Sequence, residues 1–278
     1  MSNYFNFNGK WYPGGSPIAG PQNRGLRYGD GLFETIRLSQ HNLLFKELHF
    51  QRLFQSMALL KFSIPPHLTP LFLENEVLAL CTKNKLSSAR IRLMIFRGNG
   101  GLYDSDGTHN YCIEATAFDH LPALNQNGLL IDQCPGIRKN CDVLSNIKSN
   151  NFLPYTMGAL WAKEQKLNDA LLLNTYNRVC DCTIANIFMI KNNIITTPPL
   201  SEGCIAGVMR QWLLAELPLA GYAVKETPIT YDHLCSADEV FCTNVIKGIR
   251  WVGKCGIATF TNEVIKKLYA LLPGAYRQ

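Results

Sequence analysis

Between residues 169 and 197 the chain runs through four short apolar segments, 169–174, 178–182, 185–190 and 193–197, with only two or three residues between them. Stretches this short fit strands rather than helices, and polar links such as Tyr176-Asn177 and Asn192-Asn193 close hairpin-like turns. A chain that folds this way is not a regular alternation of strand and helix. Helix-length patterns flank the run. Lys46 to Phe62 places Leu53, Met57 and Leu60 near one face before Pro65-Pro66 ends it, and further helices are predicted over 68–85, 150–166, 207–217 and 261–272. Other strands are predicted over 4–12, 33–45, 88–97, 110–118, 129–134, 221–227, 239–243 and 249–252, with a Gly/Pro-rich loop from Pro13 to Gly25. In the strand over 88–97, period-two alternation puts Arg90 and Arg92 on one face and Ile91, Leu93 and Ile95 on the other. Helices and hairpin-like strands without regular βαβ order imply an α+β fold in two domains. Pro122, Asn125, Asn127 and Gly128 mark the boundary, giving an N-terminal domain over 1–120, a linker over 121–128 and a C-terminal domain over 129–278.

With 278 residues, 47% of them hydrophobic and 17% charged, the chain can bury a large core. No apolar run approaches the ~18 residues of a membrane span, and Met1-Ser2-Asn3-Tyr4 does not open a secretory signal. The ten cysteines include no C-x-x-C pair and read as reduced, mostly buried thiols, so the expected compartment is the cytoplasm. The net charge of +6 is scattered rather than gathered into a stripe. That argues against nucleic acid as a partner and suits small anions.

The usual anchors of catalysis are missing. There is no H-E-x-x-H, no phosphate-binding G-x-x-x-x-G-K-S/T, no G-x-S-x-G elbow and no G-x-G-x-x-G, and the six histidines lack the spacing of metal ligands. Lysine is the remaining nucleophile. Lys148 lies in Asn146-Ile147-Lys148-Ser149-Asn150, and Asp181 in Val179-Cys180-Asp181-Cys182. Gly203-Cys204-Ile205-Ala206-Gly207-Val208-Met209-Arg210 opens a predicted helix, and Thr243-Asn244 ends a predicted strand. A glycine-led helix start suits a phosphate. A lysine amine forms a Schiff base with an aldehyde. A buried carboxylate holds a proton on a pyridine nitrogen. These are the demands of pyridoxal phosphate, with no metal required.

The same residues carry a family resemblance. Tyr28-Gly29-Asp30-Gly31-Leu32-Phe33-Glu34-Thr35, His49-Phe50-Gln51-Arg52-Leu53, Ile91-Arg92-Leu93, Phe96-Arg97-Gly98, Lys148, Asp181 to Phe188, Pro198-Pro199-Leu200, Gly203 to Arg210 and Glu239 to Asn244 follow in order. In this the chain resembles the class IV, or fold type IV, pyridoxal 5′-phosphate enzymes. These include branched-chain aminotransferase, D-amino-acid aminotransferase and aminodeoxychorismate lyase. The resemblance implies a two-domain fold, with a small N-terminal α/β domain and a larger C-terminal domain on a β-barrel-like sheet. It makes Lys148 the Schiff-base lysine and proton carrier. Arg52, Gly207, Val208 and Met209 would hold the phosphate, Ile205 would cover a ring face and Asp181 would meet the ring nitrogen. Thr243 and Asn244 would line the cofactor site. Phe33 and either Arg92 or Arg97 would bind substrate, and the chain would form a homodimer.

Some positions depart from the family pattern. Asp181 stands where the family usually has Glu, so the backbone must lie closer to the ring or a water must bridge. Phe152 replaces a Tyr that bonds the cofactor's 3-oxygen. Leu102 replaces a second Arg, and Val245 replaces a hydroxyl residue, a loss that Thr243 would offset. The resemblance implies an aminotransferase acting on branched-chain-like or D-amino acids and 2-keto acids. Aminodeoxychorismate lyase, releasing pyruvate and 4-aminobenzoate, is the alternative, suggested by Gly207-Val208-Met209-Arg210-Gln211 and Asn244. A pyridoxal phosphate-binding protein with degraded catalysis is a third.

Overall fold

Asn8 and Gly9 both take positive φ, 51° and 82°. An Asn-Gly pair in that conformation is a two-residue hairpin turn. The strand expected over 4–12 is therefore two strands, β1 (Tyr4–Phe7) and β2 (Lys10–Pro13), paired antiparallel. Gln40 and His41 make the same kind of turn, at φ 48° and 63°, and divide the segment expected over 33–45 into β3 (Gly31–Ser39) and β4 (Asn42–Leu43). Between the hairpins lies a short helix not seen in the sequence, α1 (Arg24–Tyr28), capped by the Asn23 side chain and ended by left-handed Gly29.

The computed structural model describes residues 4–118 and 124–276. Residues 119–123, which include the start of the expected linker, lie outside the described residues. The chain divides into two compact units. The first holds residues 4–118 and the segment Lys148–Phe152, and the second holds 124–147 and 153–276. Helices α2 (Lys46–Leu59) and α3 (Pro70–Lys83) complete the first unit with β5 (Ala89–Arg97) and β6 (His109–Ala117). Its six strands pair antiparallel throughout, in the order β2-β1-β6-β5-β3-β4. The alternation on β5 is as expected: Ile91, Leu93 and Ile95 are fully buried, while Arg90 is exposed and Arg92 partly so.

The second unit is built on nine strands: β7 (Leu129–Lys139), β8 (Asp169–Asn174), β9 (Val179–Cys182), β10 (Asn186–Lys191), β11 (Ile194–Thr197), β12 (Ala223–Glu226), β13 (Glu239–Asn244), β14 (Gly248–Cys255) and β15 (Ala258–Thr259). Their order is β12-β11-β10-β13-β14-β7-β8-β9, with β15 on β14. Four helices accompany them: α4 (Leu153–Glu164), α5 (Val208–Leu219), α6 (Tyr231–Cys235) and α7 (Glu263–Leu271). The hairpins β8–β9 and β10–β11 form, but β9 and β10 are not neighbours. Two parallel crossovers, β7-α4-β8 and β11-α5-β12, also stand in this sheet. Strands β8 and β9 are buried at every position, which explains their unbroken apolar runs. Phe188 and Phe241 are cross-strand partners with stacked rings, 4.8 Å between centroids, an arrangement worth ~0.5–1.5 kcal/mol beyond area burial.

Strand β7 outruns its prediction by five residues. Pro135-Gly136 reads as a strand end. In the structure the pair sits within an irregularity between Gln133 and Arg138, and pairing resumes with Arg138↔Leu173 and Lys139↔Asn174. Helix α4 starts at Leu153 rather than 150, because the residues before it pair with β3. Eight of the ten cysteines are buried and all are free. Among the described residues no helix is long and apolar enough to cross a membrane.

Candidate active site

In the first unit, Lys148 is held by backbone hydrogen bonds. The amide of Phe33 donates to the Lys148 carbonyl at 2.9 Å, the amide of Asn150 donates to the Gly31 carbonyl at 2.9 Å, and Ser149 bridges Leu32. This approach demands glycine at position 31. A Cβ there would lie 2.5 Å from the Asn150 side chain and 2.6 Å from the Ile95 carbonyl oxygen. The lysine ammonium rests 4.5 Å from the centroid of the Phe33 ring and 5.4 Å from that of Phe152, and the two rings meet edge to face. Arg92 stacks on Phe33 as well, its guanidinium carbon 4.0 Å from the centroid. Burial lowers the Arg92 pKa, against the opposing charge of Glu114. Among the described residues no carboxylate lies within ion-pair distance of Arg92. Phe33 thus brings the candidate nucleophile and one of the two candidate substrate arginines to a single ring.

Arg97 goes elsewhere. It pairs with Asp30 at 2.5 Å, donates to the carbonyls of Leu60 and Lys61 at 2.5 and 3.0 Å, and lies over the Phe62 ring. Asp30 also takes Arg24, at 2.9 Å. This arginine fastens the end of α2 to β5, and the structure does not bring it to Phe33.

Arg52 belongs to a buried triad. Its Nε donates to Glu34 Oε1 at 2.7 Å and a terminal nitrogen to Oε2 at 2.5 Å, while His49 Nδ1 lies 2.6 Å from Oε2. Burial alone would raise the Glu34 carboxyl, but Arg52 and His49 beside it hold it down to about 2. Burial lowers His49, and the charges of Arg52 and Lys148 add to that effect. Residues 49 and 52 face Glu34 because they lie three apart on α2, on one side of a helix.

In the second unit, Asp181 is buried on β9 among three donors. The Lys139 ammonium reaches Oδ2 at 3.0 Å and Oδ1 at 3.2 Å. The Tyr155 hydroxyl donates to Oδ2 at 3.0 Å, and so does the Ile205 amide, also at 3.0 Å. Lys139 donates to the Tyr155 oxygen as well. Burial, and then the charge of Asp181, raise the Tyr155 phenol well above its ordinary value, so it stays protonated. Sequence reasoning missed both Lys139 and Tyr155. The signal for a partner was Asp181 itself, since a carboxylate in an apolar strand needs a counter-charge.

Ile205 joins this carboxylate to the start of α5. Its amide goes to Asp181, and its carbonyl accepts from the Asn186 side chain at 2.9 Å. Gly207 is the N-cap of α5 and offers no side chain to the first turn, which begins at Val208 and Met209. A Cβ on Gly207 would lie 1.9 Å from Asn186 Oδ1. An open helix start of this kind is an anion cradle. Arg210 is turned away from it, to Glu226 and the Pro198 carbonyl. The Thr243 hydroxyl donates to the Gly248 carbonyl at 3.1 Å, and the Asn244 side chain bonds Ile184, Ile246 and Lys247. Both therefore shape the β13–β14 turn. Among the described residues no cluster of His, Cys, Asp or Glu is arranged to hold a metal. Within the first unit, an amine among aromatic rings suits an aldehyde; within the second, a buried carboxylate and a cradle that a methyl group would fill suit a pyridine nitrogen and a phosphate.

Comparison with known proteins agrees with this chemistry. The profile of the family described as amino-transferase class IV matches residues 31–255. A putative branched-chain-amino-acid aminotransferase of Methanocaldococcus jannaschii is 32% identical over 252 residues, 88% of this chain and 87% of that protein. An aminodeoxychorismate lyase of Vibrio harveyi is 30% identical over 259 residues, 91% of this chain and 93% of its own length. In fold, the chain resembles the crystal structure of a branched-chain aminotransferase from Thermoproteus uzoniensis, with a TM-score of 0.88 at 22% identity, covering 97% of this chain and 93% of that one.

Proposed function

The chain belongs to the class IV aminotransferase family, and on that premise we propose that it moves an amino group from a branched-chain-like or D-amino acid to a 2-keto acid, with Lys148 as the amine that joins pyridoxal 5′-phosphate. The family uses this cofactor. When bound, it supplies an electron sink for breaking bonds at the substrate Cα. The observation that carries the reading is the lodging of the Lys148 ammonium against Phe33 and Phe152, on a segment fixed to β3 by backbone hydrogen bonds. Held there, the amine would be the group that receives the cofactor's aldehyde, and it would carry the proton at the substrate Cα.

The other residues take positioning roles in this reading. Asp181 holds the ring nitrogen through Oδ1, the oxygen that accepts a single long bond, while Oδ2 already accepts three. The amides of Val208 and Met209 at the open start of α5 hold the phosphate, aided by Arg52, which Glu34 keeps oriented. Gly207 gives the approach its room, and Ile205 covers a ring face. Arg92 anchors a substrate carboxylate beside Phe33. Thr243 and Asn244 support the site through the turn they shape. We propose a homodimer in the cytoplasm acting on small amino and keto acids, with neither nucleic acid nor membrane as partner.

The likeness to the Vibrio harveyi protein, over nine-tenths of both chains, favours a second reading as aminodeoxychorismate lyase. One experiment sorts the readings. The purified yellow protein is mixed with a panel of amino acids and 2-oxoglutarate, and separately with aminodeoxychorismate. An absorbance shift with amino donors and keto-acid-dependent turnover support the transferase. Pyruvate release without a keto acid would replace it with the lyase. A yellow protein indifferent to every amino donor and to aminodeoxychorismate would leave a binding protein.

A further inference from the structure

The Asp181 carboxylate ties together three elements of the second unit. Lys139 ends β7, Tyr155 stands in the first turn of α4, and Ile205 lies in the segment that runs into α5. The three N–H groups of Lys139 are matched by three acceptors inside the cluster, the Tyr155 oxygen and both oxygens of Asp181. Tyr155 gives its own proton to Oδ2. The ammonium is thus fully used, and the Ile205 amide on Oδ2, at 3.0 Å, leads out of the cluster. Burying an ammonium with a carboxylate is costly in solvation, and an apolar pair of the same size often serves stability as well or better. The pair therefore calls for a use beyond holding the fold, and the bond to Ile205 supplies one.

From Ile205 the path continues to the start of α5. The Ile205 carbonyl accepts from the Asn186 side chain at 2.9 Å and from the Gly207 amide at 2.8 Å. Gly207 is the N-cap, and its carbonyl accepts from the Gln211 amide at 2.9 Å, the first bond of the helix. The Ala206 amide donates to the Asn146 carbonyl at 3.1 Å, and the Asn146 side chain holds the Cys204 carbonyl at 2.7 Å. These partners are neutral. The partner of the Ile205 amide is a carboxylate, and a hydrogen bond to an ionised group is about twice as strong as one between neutral groups. Among these bonds Asp181 is thus the strongest anchor of the segment that aims the amides of Val208 and Met209. Resting on the reading of the α5 start as the phosphate's seat, we propose that Asp181, clamped by Lys139 and Tyr155, is a positioning residue for that phosphate. Through Ile205 it fixes the helix start, so one buried carboxylate serves both ends of pyridoxal phosphate. Whatever loosens the acid then loosens the cradle as well.

The test compares two ligands that differ only in the phosphate. Affinities of the cofactor-free protein for pyridoxamine and pyridoxamine 5′-phosphate are measured by calorimetry. The proteins are the native chain, Tyr155→Phe, Asp181→Ala, and Asp181→Ala combined with Lys139→Met, which leaves no ammonium buried alone. Neither ligand has an aldehyde, so neither is captured covalently. The ratio of the two affinities reports the phosphate's seat, since a contact to the ring alone changes both by the same factor. The native chain should favour the phosphorylated ligand strongly. Asp181→Ala, alone and in the double variant, should lower the ratio by about tenfold, the size of a lost hydrogen bond to a charged group, and Tyr155→Phe should lower it by less. A ratio unchanged in Asp181→Ala and in the double variant overturns the proposal, and would make Asp181 a ring contact alone. Should neither of those fold, Tyr155→Phe decides. A native ratio near one would instead overturn the α5 start as the phosphate's seat, and this inference with it.

Discussion

Phe33 and Lys148 are joined twice: the Phe33 amide donates to the Lys148 carbonyl at 2.9 Å, and the Lys148 ammonium lies 4.5 Å from the centroid of the Phe33 ring. The backbone bond fixes where the lysine starts, and the ring fixes where its charge ends. Lys148→Ala removes only the second. The variant should fold, keep the β3 pairing and lose covalent capture of the cofactor. Borohydride reduction followed by peptide mapping should label position 148 in the native chain and nothing in the variant. A label on another lysine would end the assignment.

The Glu34 triad gives the first unit a defined acid sensitivity. Its carboxyl is held at about 2 against an ordinary 4.5. A carboxyl lowered on folding adds stability that is present above its unfolded pKa and is lost as pH falls toward the folded one. Here that amounts to about 3 kcal/mol at neutral pH. Stability should therefore hold down to about pH 5 and fall steeply from there to about pH 2. Glu34→Gln, which removes the carboxylate that His49 and Arg52 share, should be less stable at pH 7 with a flatter acid limb. Urea midpoints across that range measure both. Parallel curves for the two proteins would place the acid sensitivity elsewhere.

Legibility in the sequence followed the range of the signal. Period-two burial on β5 and the apolar runs of β8 and β9 are local, and the sequence displays them directly. The Asn8-Gly9 and Gln40-His41 turns are equally local, but each lies inside a longer run of strand formers and was absorbed by it. Lys139 was hidden for a different reason. Pro135-Gly136 has the chemistry of a strand end, and only the neighbouring β8 holds the chain in register beyond it. Tyr155 is one aromatic on an apolar helix, with nothing in its neighbours to mark its hydroxyl. Arg92 and Arg97 look alike as sequence. Their partners, Phe33 and Asp30, separate them only once β3 and β5 are paired.

Gly207 tests the cradle. Its backbone, at φ −67° and ψ 135°, is open to any residue, so Gly207→Ala acts through space alone. The new methyl would meet Asn186 Oδ1 at 1.9 Å, and Asn186 is the side chain that holds the Ile205 carbonyl. Either that bond breaks or the start of α5 shifts. Affinity for pyridoxal 5′-phosphate should fall by about tenfold or more, with a smaller loss for pyridoxal, which lacks the phosphate. Adding Asn186→Ala should recover part of the loss. Equal losses for both ligands would mean that the α5 start does not hold the phosphate.

Arg92 and Arg97 should part company when each is changed to Gln. Arg92 stacks on Phe33 beside Lys148 and has no carboxylate at ion-pair distance among the described residues, so its charge is the one left for a substrate carboxylate. Losing a charged hydrogen-bonding pair to substrate costs about 1.5–3 kcal/mol. Arg92→Gln should accordingly raise KM for the amino acid by about ten- to a hundredfold, with Tm nearly unchanged. Arg97 instead binds Asp30 and the carbonyls that end α2. Arg97→Gln leaves Asp30 with Arg24 alone and strips two carbonyls of a donor, so Tm should fall by about 4–8 °C while KM holds. Thermal melts and steady-state kinetics on the two variants give both readouts. A rise in KM for Arg97→Gln at unchanged Tm would reverse the roles of the two arginines.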